Sequence, residues 1–71
     1  METEQLLVPE ISCNHCVRAI SEAVNALPGV QLVTVDLAGK TVRVAHDRRT
    51  DLAAIMHAIN EAGYEDIAVL T

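Results

Sequence analysis

The spacing of apolar residues along this chain switches between two periods, and the order of the switches leaves few folds open. Leu6-Leu7-Val8 lies in a short run that Pro9 ends or displaces to a sheet edge, so residues 4–9 read as a strand. Val17, Ile20, Val24 and Leu27 then fall three or four apart, which predicts a helix over 14–27 stopped by Pro28-Gly29. Residues 30–37 are rich in β-branched side chains, with Val33, Val35 and Leu37 alternating against Thr34 and Asp36. Beyond the short turn Ala38-Gly39-Lys40, Val42 and Val44 alternate again through residue 46, so the two runs predict a hairpin. Thr50 is expected to cap a second helix, with Asp51 in the first turn at the positive end of its dipole. Leu52, Ile55, Met56 and Ile59 carry that helix's apolar stripe, and Gly63 marks its C-terminal end. Ile67, Val69 and Leu70 complete the pattern in a last strand over 65–71.

The order β-α-β-β-α-β consists of two split halves sharing a central hairpin. It predicts an α+β, ferredoxin-like sandwich: a four-stranded antiparallel sheet with two helices on one face, one domain over 1–71. A chain of 71 residues leaves little surface to spare, since domains this small bury only about 60% of what their unfolded chains expose. Half of the residues are apolar, yet Tyr64 is the only aromatic side chain, so the core must come from Val, Leu, Ile and Ala. The topology also sorts the loops. Residues 13–16, the turn at 38–40 and Gly63-Tyr64 should share one end of the sheet, with His46 and Arg48 toward the other.

The net charge of −5 and a pI near 4.9 exclude the basic surface that nucleic acid requires. Arg48 and Arg49 are adjacent, but Asp47 and Asp51 flank them, as on a solvated loop. An acidic surface fits transient docking onto a basic protein patch. No apolar run approaches the roughly 18–20 residues that cross a bilayer. The start Met1-Glu2-Thr3-Glu4-Gln5 lacks the cationic character of a secretory signal, so a cytoplasmic, reducing location is expected.

Cys13-Asn14-His15-Cys16 holds both cysteines of the chain, at the predicted junction of strand and helix. Thiols bind metal as thiolates, and a helix start lowers their pKa through free N–H groups and the dipole. The i,i+3 spacing lets both sulfurs converge on one ion. Two soft sulfurs suit Cu(I), which tolerates low coordination, whereas Zn(II) prefers four ligands in a tetrahedron. Two other readings stay open: a Zn(II) or Cd(II) carrier, and a dithiol oxidoreductase. Against the oxidoreductase, Ser12 and Asn14-His15 stand where thioredoxin-like motifs usually carry an aromatic residue and a proline.

Ile11-Ser12-Cys13-Asn14-His15-Cys16, together with Leu27-Pro28-Gly29-Val30, Val35-Asp36-Leu37 and Glu61-Ala62-Gly63-Tyr64, resembles the heavy-metal-associated domains and their Met-x-Cys-x-x-Cys signature. Within that family the similarity is to the bacterial cytoplasmic copper chaperones (CopZ type), and it covers essentially the whole chain. The resemblance implies that Cys13 and Cys16 hold Cu(I), passed by thiolate exchange to a copper-transporting P-type ATPase carrying a Cys-x-x-Cys pair of its own. A copper-dependent homodimer is a further implied form, and no enzymatic activity is expected. The same resemblance leaves open that the chain is the N-terminal module of such an ATPase, although Met1 and the stop after the last strand favour a freestanding protein. Mercury carriers that share the fold need an export signal, which this start does not provide.

Three residues are expected to support the thiols. Ser12 stands where zinc- and cadmium-selective members tend to carry an acid, which favours copper. His15 is expected to be exposed and to tune the thiols, or to ligate copper in a bridged dimer. Tyr64 is either an amphipathic lid over the core or a support for the copper loop through its hydroxyl or ring. Ile11 should pack beneath the loop in place of the family's Met, at similar volume. Glu10, where glycine is usual, should make the loop backbone less permissive. Met56 reads as core filler, while Arg18 and His57 should face solvent.

Overall fold

The computed structural model describes residues 2–70; Met1 and Thr71, and with Thr71 the end of the expected last strand, lie outside the described residues. The elements follow the predicted order: β1 (Glu2–Leu7), α1 (Asn14–Asn25), β2 (Val30–Asp36), β3 (Thr41–His46), α2 (Leu52–Glu61) and β4 (Ala68–Val69). The strands form one antiparallel sheet in the order β2-β3-β1-β4. This is the ferredoxin-like arrangement. Leu6, Val42 and Val44 from the sheet pack with Ile20 and Val24 of α1 and with Ile55 and Ile59 of α2 in one fully buried cluster. Val8 and Ile11, flanking the turn before the thiols, belong to the same cluster. The absence of large aromatics is met by interlocked β-branched side chains, supplemented by half-buried Met56, Tyr64 and Ile67.

The structure differs from the sequence pattern in several places, the first being β1, which runs over Glu2–Leu7 where 4–9 was expected. Helix α1 ends at Asn25, because Leu27 precedes proline and is disfavoured from the α region; its amide closes onto Val24 O at 3.1 Å instead. The N-cap of α2 is Asp51 and not Thr50: Asp51 is extended, and its Oδ1 accepts from Ala54 N at 2.9 Å. Thr50 is buried, and the first turn then contains no acid. Leu37 falls beyond the end of β2 and is partly exposed, and Leu32, in phase with Thr34 and Asp36, faces outward and is 62% exposed beside a register shift between Val30 and Leu32. The last strand shrinks to two residues, though Leu70 N still donates to Gln5 O at 2.8 Å. His46, expected only to end a strand far from the thiols, is 1% exposed. It lies between Asp47 O (Nδ1, 2.9 Å) and Glu4 (Nε2, 3.4 Å).

Candidate metal centre

Residues 8–11 set the approach to the thiols. Ile11 N donates to Val8 O at 3.1 Å, closing a turn in which Pro9 takes the position that suits its fixed φ. Glu10 follows with an ordinary negative φ, so the position needs no glycine and the expected backbone cost does not arise. Ile11 is fully buried and anchors the loop on the core, in the role the resemblance assigned to it. Lys40 braces the loop from the neighbouring turn: its carbonyl accepts Val8 N at 2.8 Å, and its Nζ donates to Ile11 O at 3.0 Å and Pro9 O at 3.3 Å.

Cys13 is the N-cap of α1, with extended backbone, and its carbonyl accepts from Cys16 N (3.1 Å) and Val17 N (3.3 Å). Cys13 is exposed, while Cys16, one turn into the helix, is half-buried. Their sulfurs stand 3.8 Å apart, and Ser12 Oγ lies 3.9 Å from Cys16 Sγ. Both cysteines are free thiols. Two sulfurs each about 2.3 Å from one ion would span this separation at an angle of about 110°, so the pair needs little movement to share a metal.

Tyr64 reaches the pair through the end of α2. Ala62 is the C-cap, and Gly63 adopts φ +106, a conformation side chains rarely accept. Gly63 N then donates to Asn60 O at 2.9 Å and Tyr64 N to Ile59 O at 3.3 Å, the paired bonds of a Schellman motif. The reversal delivers the Tyr64 side chain to Cys16. A hydrogen bond from Tyr64 is the largest influence that brings the Cys16 thiol down to about 6, joined by the Ser12 amide and by the Cys13 and Ser12 side chains. Reciprocally, the Tyr64 hydroxyl is pushed up to about 12, first by Cys16 and then by burial.

The structure therefore gathers Ser12, Cys13, Cys16 and Tyr64. His15 is exposed on the first turn, and among the described residues no three His, Cys, Asp or Glu side chains converge on a common point. Arg18 and His57 are exposed as expected, His57 lying 3.5 Å from Glu61. Two contributors were not legible as such. Glu10 Oε1 accepts from Glu65 N (3.3 Å) and Asp66 N (3.1 Å), and Lys40, though placed at the correct end, carried no signal that its ammonium would hold loop carbonyls. No helix among the described residues is long and apolar enough to cross a membrane.

The profile of the Heavy-metal-associated domain matches residues 5–65. The copper chaperone CopZ of Enterococcus hirae is 41% identical over 63 residues, 87% of this chain and 91% of that protein. Copper-transporting ATPases of Rhizobium meliloti and rice also match, but this chain spans only 6–7% of their lengths. Among solved structures, a CopZ metallochaperone superposes with a TM-score of 0.86 at 30% identity, covering 97% of this chain and all of that one. Oxidized MerP from Ralstonia metallidurans gives 0.90 at 27% identity, covering 99% and 97%.

Proposed function

The chain belongs to the heavy-metal-associated domain family, and from that premise we propose that it is a cytoplasmic Cu(I) chaperone rather than an enzyme. Cys13 and Cys16 are the ligands, and Ser12 and Tyr64 hold Cys16 as thiolate; His15 remains outside the ligand set of the single chain. The observation that carries this reading is the pair of free sulfurs at 3.8 Å on a helix N-terminus, one exposed and one lowered to about 6. A thiolate at neutral pH binds a soft ion without waiting for a proton to leave. The exposed Cys13 is open to attack by an incoming thiolate, so copper passes through shared two- and three-coordinate intermediates to a Cys-x-x-Cys pair on a copper-transporting P-type ATPase. The near-full-length similarity to CopZ supports carriage and delivery. The same exposure permits two chains to share copper as a homodimer.

The matches to ATPases favour a second reading, in which this unit is the N-terminal module of such a pump. The length of the open reading frame separates the two. Carriage of Zn(II) or Cd(II) is disfavoured by a donor set that, among the described residues, is two short of a tetrahedron.

Anaerobic Cu(I) titration of the reduced protein against a chromophoric chelator tests the proposal, with Cys13→Ser and Cys16→Ser alongside. Uptake of one copper per chain, lost in both variants, is the expected result. Weak uptake, or uptake indifferent to the substitutions, would overturn copper carriage and make insulin reduction by the dithiol the next assay.

A further inference from the structure

Two successive backbone amides converge on a single carboxylate oxygen beside the thiols. Glu10 Oε1 accepts from Glu65 N and Asp66 N across a separation of 55 and 56 residues in the chain. These amides directly follow Tyr64, and the carboxylate belongs to the turn that leads into Ser12-Cys13. The contact thus joins the two loops whose relative placement decides whether the Tyr64 hydroxyl meets Cys16.

Other restraints act on each loop separately or through the shared core. The Schellman motif fixes Tyr64 relative to α2, Ile11 fixes the thiol loop relative to the core, and Tyr64 and Ile67 pack half-buried against that core, but none of these is a polar tie between the two loops. Strand pairing does not resume until Ala68, so residues 65–67 contribute no ladder bonds that could do so. On the far side, Lys40 holds carbonyls of the thiol loop and makes no bond to the segment after α2. A carboxylate oxygen accepting two successive amides, at 3.3 and 3.1 Å, is a directional tie that a charged acceptor favours.

We propose that Glu10 is a positioning residue, which pins the segment after α2, and Tyr64 with it, to the thiol loop. Only its consequence for copper rests on the carrier reading. Without the tie, the segment after α2 is held by its packing alone, Tyr64 leaves Cys16 for part of the time, and the rate at which the thiolates release Cu(I) changes. Glu10 takes this role because the turn at 8–11 gives it a negative φ, so a side chain is free to replace the family's usual glycine there.

The test compares Glu10→Ala with Glu10→Gln, whose amide oxygen still accepts, by NMR on the reduced, metal-free protein. In Glu10→Ala the Glu65 and Asp66 amides should exchange at least tenfold faster (about 1.4 kcal/mol), while those of Val42 and Val44 stay unchanged. Nuclear Overhauser contacts between the Tyr64 ring and the Cys16 β-protons should vanish in Glu10→Ala and return in Glu10→Gln. In Cu(I) release to a chelator, Glu10→Ala should have no further effect once Tyr64→Phe is present. Wild-type exchange and Overhauser contacts in Glu10→Ala would overturn the proposal, as would effects of the two substitutions that simply multiply. The metal-free measurements decide it even if the wild-type protein takes up no copper.

Discussion

At the scale of single residues, two side chains make the fold respond to pH in opposite senses. Cys16 titrates near 6 in the folded chain against an ordinary 9.0, because Tyr64 and the Ser12 amide favour its thiolate. Its contribution to stability is therefore present above the ordinary value and lost as pH falls through about 6. Tyr64→Phe should return the thiol toward 9.0 while leaving copper stoichiometry at one, read from the pH dependence of alkylation and from chelator titration. His46 runs the other way. The Asp47 carbonyl, with Glu4 and Glu2 nearby, raises it above 6.5 despite a burial that opposes the charge. Its contribution is complete below 6.5 and disappears as pH rises through the folded value. In a Cys16→Ser background, His46→Gln should flatten the loss of urea midpoint as pH rises from below 6.5; an undiminished slope would place the titration elsewhere.

Among the elements, the connections carry the sharpest constraints. Gly29 has φ +85 after α1, and a β-carbon added there would collide with the Asp47 carboxylate, where Asp47 N also binds Gly29 O. Gly63 has φ +106 but open space around it. Alanine at Gly63 should cost about 1–3 kcal/mol through backbone strain alone. Alanine at Gly29 should cost more, by the work of displacing Asp47 and its bond to Arg49. Thermal unfolding of both variants isolates that difference, and equal costs would mean that Asp47 moves aside freely. The caps show why element ends are harder to read than their middles. Thr50 and Asp51 are both competent caps, and only the extended backbone at Asp51 with Thr50 turned inward decides between them.

For the whole molecule, the small core and the thiol loop are one structure. Ile11 is fully buried in the cluster formed by both helices and the sheet, and it is also two residues from Cys13. Ile11→Met keeps volume and should cost less than about 1.5 kcal/mol. Ile11→Ala should cost about 2–5 kcal/mol, a large share of the stability of a chain this short, and should loosen the loop as it does so. Denaturant unfolding alongside amide exchange at Cys16 checks both effects. A loop that stays rigid in Ile11→Ala would separate site from core.

Periodicity alone sufficed for the order of strands and helices, and the i,i+3 placement of the cysteines at a helix start was legible, because these depend on neighbours within a turn or two. The topology that follows also placed Lys40 and Tyr64 at the thiol end. What tertiary structure decided are the contacts between segments distant in sequence: Glu10 on the amides of Glu65 and Asp66, the Lys40 ammonium on Pro9 and Ile11, and His46 enclosed beside Glu4. It also set the short β4, in which Ala68 and Val69 pair with β1. Local patterns specify which backbone shape each segment favours. Which polar groups meet depends on how those shapes pack, and neither composition nor spacing records that.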